Sequence, residues 1–215
     1  MGAPGPDVIL HSTARHRAAR GVSLIELIVV VGLAGVISAM AVPMMKAVLG
    51  DFSLTGDARG VSSAVSLAKL RAAASFSQAR VFVDLGGKTY RVELWQKTPP
   101  TWVTEGGIKA LSTSVNFGFG VVGSAPPFSQ ATIGQASECV TELGAAIGQT
   151  ACILFNSRGI PVAPGGAPPS VGAPTGNDAV YLTDAAAVYA VTISATGLIK
   201  LWRSIRTATP SWVLQ

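Results

Sequence analysis

Histidine is absent from residue 17 onward. The two the chain has, His11 and His16, sit in its first twenty residues. That removes the usual parts of a hydrolytic triad, an imidazole general base and the commonest metal ligand from the rest of the protein. Asp and Glu show no paired or metal-like spacing, so no catalytic residue and no metal site is expected. Neither an internal repeat nor a phosphate-binding glycine loop is found. Charge is scarce at 13% of residues, and the net +5 owes part of its excess to Arg15, Arg17 and Arg20 near the start. Taking those three Arg and Asp7 from 16 basic and 11 acidic residues leaves 13 and 10, or +3. A balance that small is a weak basis for nucleic-acid binding. Cysteine is limited to Cys139 and Cys152. A bridge between them would close a short loop and contribute about 3 kcal/mol. Two buried free thiols are the alternative, and two ligands are too few for a metal site.

What the sequence has in quantity is apolar surface: 49% of residues are hydrophobic and mean hydropathy is +0.47. Much of it is concentrated between Gly21 and Lys46, where Glu26 is the only charge. At about 1.5 Å per residue, roughly twenty such helical residues cross a hydrocarbon core of about 30 Å. The three arginines in front favour a cytoplasmic N-terminus and an exported remainder. A carboxylate inside a membrane helix costs about 2.5–3.5 kcal/mol at the centre and less near an end, so Glu26 needs a reason. The basic leader changes abruptly to apolar helix at Gly21-Val22, and no small-x-small cleavage signal follows the apolar run. A cut makes more sense in front of the run than behind it.

These residues resemble the type III signal of type IV pilins and pseudopilins: Gly21, then Val22-Ser23-Leu24-Ile25-Glu26, a basic leader and an uninterrupted apolar stretch. The resemblance implies cleavage after Gly21 by a prepilin peptidase and N-methylation of Val22. Val22 stands where Phe or Met is more usual, and the leader is longer than the commonest form. Glu26 matches the family's acid at the fifth mature position. Pro43 falls where pilins often carry a helix-loosening proline. In a filament, Glu26 of one subunit is expected to pair with the free amine of Val22 on a neighbour, because a buried carboxylate is tolerable when paired and costly alone.

The remainder reads as one long helix followed by strands. Residues 22–79 are expected to be helical, with residues 22–45 in the membrane and residues 46–80 amphipathic. Pro43 and Gly50 are expected to loosen or kink the helix. Leu54, Ala58, Val61, Val65, Ala68 and Ala72 recur in three- and four-residue steps, with Asp57, Arg59, Lys69 and Arg71 off that stripe. So many alanines suit a helix laid on a sheet better than a coiled-coil seam. Residues 80–96 alternate as a hairpin around Gly86-Gly87-Lys88. Pro99-Pro100 is expected to end it, with loop over residues 103–107 and strand-like pieces over 114–122. Residues 126–150 read as loop with a short helix. Residues 151–156 and 177–183 read as strands, the Pro- and Gly-rich residues 160–178 as loop, and residues 187–194 with 197–203 as a last hairpin. The expected fold class is α+β: a long N-terminal helix packed on an antiparallel sheet. Residues 1–21 form the leader and residues 81–215 the β-rich domain.

Patches of that domain resemble the GspH/FimT family of minor pseudopilins and minor pilins: Leu67-Ala68-Lys69-Leu70-Arg71-Ala72, Phe155-Asn156-Ser157-Arg158-Gly159-Ile160-Pro161, and the final hairpin. The resemblance implies a structural, assembly-priming subunit near the tip of a type II secretion pseudopilus. It would be anchored once in the bacterial inner membrane with its domain in the periplasm, where a disulfide would persist. Its implied partners are the prepilin peptidase, membrane lipid and other pseudopilins, with no cofactor. A minor type IV pilin is the alternative, and some such members bind DNA through a Gly-Arg-x-Arg motif. Here Gly197-Leu198-Ile199-Lys200 replaces it. Lys200, Arg203 and Arg206 are the candidate phosphate contacts, with Trp202 as a stacking surface. Lys200 and Arg203 fall on opposite faces of a regular strand, so DNA is not the favoured partner.

Overall fold

The computed structural model describes residues 22–166, 168 and 172–215, with the side chains of residues 42–44, 46 and 47 excepted. The chain divides into two units, residues 1–44 and 45–215. One helix, α1 (Leu24–Ala74), runs through both. Ser23 carries the carbonyl that accepts the first helical hydrogen bond, from the Leu27 amide at 3.1 Å, which makes Ser23 the N-cap. The helix stops five residues short of the expected end. Phe76 adopts φ 48°, and Ser77 N–H turns back to the Ala72 carbonyl at 3.2 Å. A left-handed residue closed by such a bond terminates a helix, and Ala79 is thereby released to begin a strand.

In the larger unit the predicted stripe is the buried face of α1. Leu54, Ala58, Val61, Val65, Ala68 and Ala72 have no exposed surface, and Ala64 joins them. Alanines at these positions let the helix backbone approach closely what it packs on.

That partner is two antiparallel sheets, where one was expected. The first contains β1 (Ala79–Asp84), β2 (Thr89–Lys97), β3 (Pro100–Ala110), β7 (Thr150–Phe155) and β8 (Pro161–Val162), in the order β3-β2-β1-β7-β8. The second contains β4 (Asn116–Phe117), β9 (Asp178–Thr183), β10 (Ala187–Ile193), β11 (Ile199–Ile205) and β12 (Val213–Leu214), in the order β12-β11-β10-β9-β4. A short hairpin, β5 (Cys139–Val140) with β6 (Ala146–Ile147), stands apart. The helix stripe, Val81, Val83 and Ile153 of the first sheet, and Val180, Leu182 and Val191 of the second share one core. The chain leaves the first sheet after Val162 and re-enters a sheet at Asp178. The Pro- and Gly-rich stretch between them is what separates the two.

Four local expectations are corrected. Pro99-Pro100 does not end the sheet: Thr98 and Pro99 form a two-residue connection, and β3 begins at Pro100 paired to Lys97. Proline is tolerated as the first residue of an edge strand because no ladder donor is needed there. Residues 103–107 therefore lie in a strand, with Gly106 and Gly107 at φ 75° and 84° where the register shifts. Of residues 114–122 only Asn116 and Phe117 pair, and residues 126–150 contain β5 and β6 with no helix. Residues 118–136 instead cover the outer face of the second sheet. Phe119, Val122 and Ile133 pack with Tyr181 and Trp202. The Gln135 amide bonds both the N–H and the carbonyl of Tyr181, at 2.9 and 3.0 Å, replacing a neighbouring strand at that edge.

Strand β9 opens on a buried carboxyl. Burial pushes Asp178 up to about 6, a hydrogen bond from Thr175 only partly opposing it. Between an ordinary value near 4 and the folded value near 6, the folded state holds the proton that the unfolded state has released. Stability therefore falls as pH rises from about 4 to about 6 and is level above. The loss amounts to about 3 kcal/mol. Asp178→Asn is expected to flatten that profile and raise the urea midpoint at pH 7, followed by tryptophan fluorescence. A variant with the wild-type pH profile would show that another group causes the slope.

Candidate functional site

The N-terminal determinants lie at the start of α1. Gly21, the expected cleavage residue, is outside the described residues. Val22 and Ser23 precede the helix and Glu26 occupies its first turn, all three exposed. The apolar window Leu24–Ala41 has a mean hydropathy of 2.4, and none of it is buried. With Ser23 as N-cap, Glu26 is the third helical residue, so Ser23-x-x-Glu26 has the spacing of a capping box. A carboxylate there also faces the positive end of the helix dipole. Sequence reasoning assigned Glu26 to filament register and passed over the Ser-x-x-Glu spacing at the helix start, which was legible. Among the described residues Glu26 has no salt bridge. α1 is helical through Pro43 and Gly50. The side chain of Pro43, expected to loosen it, is outside those described.

Polar contacts fix the amphipathic part of α1 to the sheets. Asp51 pairs with Arg203 at 2.8 Å. The Thr55 hydroxyl meets Tyr189 Oη at 3.0 Å. Asp57 accepts from Ser112 N–H at 2.8 Å. Lys69 Nζ donates to the Gly197 carbonyl at 2.8 Å, and Arg71 pairs with Glu105 at 2.5 Å. These contacts fall on both sides of the apolar stripe, so they set the rotation of the helix on its support.

Each of the three candidate cations has a contact within the β-rich domain or with α1. Arg203 is committed to Asp51, whose hydrogen bond raises its pKa. Arg206 donates to the Asp184 carbonyl at 3.3 Å. Its guanidinium lies where a Cβ on Gly120 would fall, 2.6 Å from Nε. Lys200 sits over the Trp202 ring at 5.8 Å, and Trp202 is buried with Nε1 donating to Thr192 Oγ1 at 3.0 Å. The structure does not gather these residues around a free stacking surface.

Cys139 is bonded to Cys152, joining β5 to β7. Beneath this hairpin lies a charged cluster on the outer face of the first sheet. Glu93 accepts from Arg80 Nε and Arg91 Nε, each at 2.6 Å. Arg80 Nη1 donates to the Val140 carbonyl at 2.6 Å. The Arg80 guanidinium lies 4.1 Å from the Trp102 ring centroid and Arg91 lies 3.9 Å from that of Phe82. Arg80 and Glu93 are both buried. Burial lowers the Arg80 pKa, with the charge of Glu93 opposing. The sequence reading missed this cluster, yet a signal existed. A turn centred on Gly86-Gly87 places Arg80 opposite Glu93, which is the observed register.

No protein-family model matches the chain, and no curated protein matches it. Among solved structures, the minor pseudopilin EpsH from the type 2 secretion system of Vibrio cholerae aligns with it at 9% identity and a TM-score of 0.35. The alignment covers 76% of this chain and 96% of that one.

Glu93→Ala leaves two arginines with no carboxylate between them, one fully and one largely buried. It is expected to cost about 3–5 kcal/mol in urea unfolding, the range for removing one partner of a buried pair. Replacing Arg80, Arg91 and Glu93 together by Met, Met and Leu, which leaves no charge of the cluster unpaired, is expected to cost much less. Equal losses in the two variants would show that the cluster acts through packing and not charge.

Proposed function

We propose that the chain is a pilin-like filament subunit, a minor pseudopilin that helps prime a type II secretion pseudopilus near its tip. The observation that carries this reading is the Gly21-Val22-x-x-x-Glu26 signal directly ahead of an exposed apolar helix, whose continuation is bolted into a β-rich domain. In this reading a prepilin peptidase cuts after Gly21, and Val22 becomes the methylated N-terminus. Residues 24–41 hold the subunit in the inner membrane until assembly, with the domain in the periplasm. The apolar helix then exchanges lipid for the helices of other subunits. Glu26 is useful in both states: as a cap at the start of the helix, and as the partner of a neighbour's Val22 amine. The role is structural, so the chain works as a part and not as an enzyme. The same N-terminal chemistry would serve a minor type IV pilin.

Intact mass and N-terminal sequencing of membrane-extracted protein, with and without prepilin peptidase, are the direct test. A product beginning at methylated Val22 is expected, and Gly21→Ala should leave the chain at full length. A chain left uncut, or cut behind Pro43, sinks the filament reading. Glu26→Ala is expected to be processed normally yet to fail to co-purify with sheared filaments.

DNA binding gives a separate check. With Arg203 and Arg206 held by Asp51 and Asp184, only weak, salt-erased affinity for duplex DNA is expected, in the range of about 100 µM or weaker at physiological salt. A tight complex that Arg203→Ala and Arg206→Ala abolish would instead favour the DNA-binding minor pilin.

A further inference from the structure

Between the helix and the first sheet lies a cavity of about 150 Å³, lined by Ser63, Ala64 and Leu67 of α1, by Tyr90 and Val92 of β2, and by the Glu105–Lys109 stretch of β3. The bulge makes it. Between the pairs Tyr90↔Lys109 and Val92↔Glu105, β2 has one residue and β3 has three. Gly106 and Gly107 take up the excess at positive φ with open space where side chains would be. Bulges recur beside functional sites because they re-aim a strand.

The groups around this hollow are unevenly satisfied. Glu105 is paired with Arg71, and Arg91, which also borders the cavity, shares Glu93 with Arg80. Lys109 has no ion partner among the described residues. Tyr90 is 95% buried, given its 5% exposure. Its hydroxyl packs so closely on α1 that a Cβ at Gly60 would lie 2.5 Å from it. This hydroxyl makes no hydrogen bond among the described residues and is free to donate to a ligand. Burial first, and Asp57 second, push its pKa above the ordinary value, so it stays a proton donor. The site thus offers an apolar floor, hydroxyl donors and a cation, Lys109, without an ion partner among the described residues; Asp57, whose charge reaches the Tyr90 hydroxyl, has none either.

We propose that this cavity binds an aliphatic carboxylate: its hydrocarbon body rests on Ala64, Leu67 and Val92, and its carboxylate meets Lys109 Nζ and the Tyr90 and Ser63 hydroxyls. A void of this size takes one small apolar body. The lone cation at its rim selects an anion over a neutral analogue. A free branched-chain acid and the terminal carboxyl of a leucine-ended chain share this chemistry. The site is independent of the filament reading, since it uses no residue of the N-terminal signal.

The test is amide NMR of the full chain in lipid nanodiscs, titrated with 4-methylpentanoate, 4-methylpentanamide, and acetyl-Gly-Leu with a free or amidated end. Saturable shifts at Ser63, Gly106 and Gly107 are expected, with a Kd of about 1 mM for so small a ligand, and none from the two amides. Response to the free acid alone assigns the site to a small molecule, and response to acetyl-Gly-Leu assigns it to a chain end. Tyr90→Phe keeps the ring, so its unfolding midpoint should be unchanged while binding weakens several-fold. Lys109→Ala should weaken it about tenfold. The proposal is overturned if neither acid saturates these shifts by about 20 mM, if the amides produce them equally, or if both variants bind like the wild type.

Discussion

One helix carries two kinds of surface, and the rest of the described chain follows from that. Residues 24–41 have no protein cover and only Glu26 as a charge. Water would leave their whole surface exposed at about 25 cal/mol per Å². Residues 54–72 of the same helix carry the stripe on which both sheets close. An α-helix meets this double demand because its backbone hydrogen bonds are internal, so its side chains alone decide what surrounds it. No break in the backbone is needed where the surroundings change. The transition is made by composition: the last apolar residues give way to Asp51, Thr55 and Asp57, each of which has a partner in the β domain.

The second consequence concerns how a helix made largely of alanine, valine and serine can be held in one orientation. Small side chains allow close approach but define rotation poorly, since one alanine ridge resembles the next. The flanking polar contacts supply the missing definition. Asp51–Arg203 and Thr55–Tyr189 tie one side of the helix to the second sheet, and Asp57–Ser112 and Arg71–Glu105 tie the other side to the β3 region. Exposed ion pairs of this kind contribute little to stability, about 0–1 kcal/mol each. Their value here is geometric: a quarter turn of the helix would break all of them together with the fit of the stripe. One of the three candidate phosphate-binding cations, Arg203, belongs to this same group, so its contact with Asp51 competes with a nucleic-acid function.

How much of this was legible depends on the range over which each signal acts. The stripe, the β1–β2 hairpin and the β10–β11 hairpin were readable because helical period, strand alternation and turn residues are local. The second sheet was not, because Val180, Leu182 and Val191 look the same whether they extend one sheet or begin another. β3 was misread for a different reason. Paired prolines usually end a strand, and here they form the connection and the first residue of an edge. The segments over the outer face of the second sheet carry no period at all. Their placement depends on single residues, such as Gln135 standing in for a strand, that no periodicity announces. At the N-terminus the spacing of Gly21, Val22 and Glu26 was plain, while the capping-box spacing of Ser23 and Glu26 was hidden behind the larger question of why a charge lies in an apolar run.

The outer face of the first sheet shows why a cover was needed at all. Alternation puts Arg80, Phe82, Arg91 and Glu93 on the side away from the core, where such residues normally meet water. In this chain Trp102 and the β5–β6 hairpin close over them, so two guanidinium groups and one carboxylate are withdrawn from solvent. Withdrawal on that scale is tolerable only if every donor finds an acceptor, and an ion pair alone cannot supply enough. The Val140 carbonyl accepts the additional Arg80 bond, and it is available because the covering hairpin is there. The hairpin itself has only a two-residue ladder, too short to stand alone. The Cys139–Cys152 bond therefore keeps a weak element seated over a charged cluster that would otherwise favour water over burial.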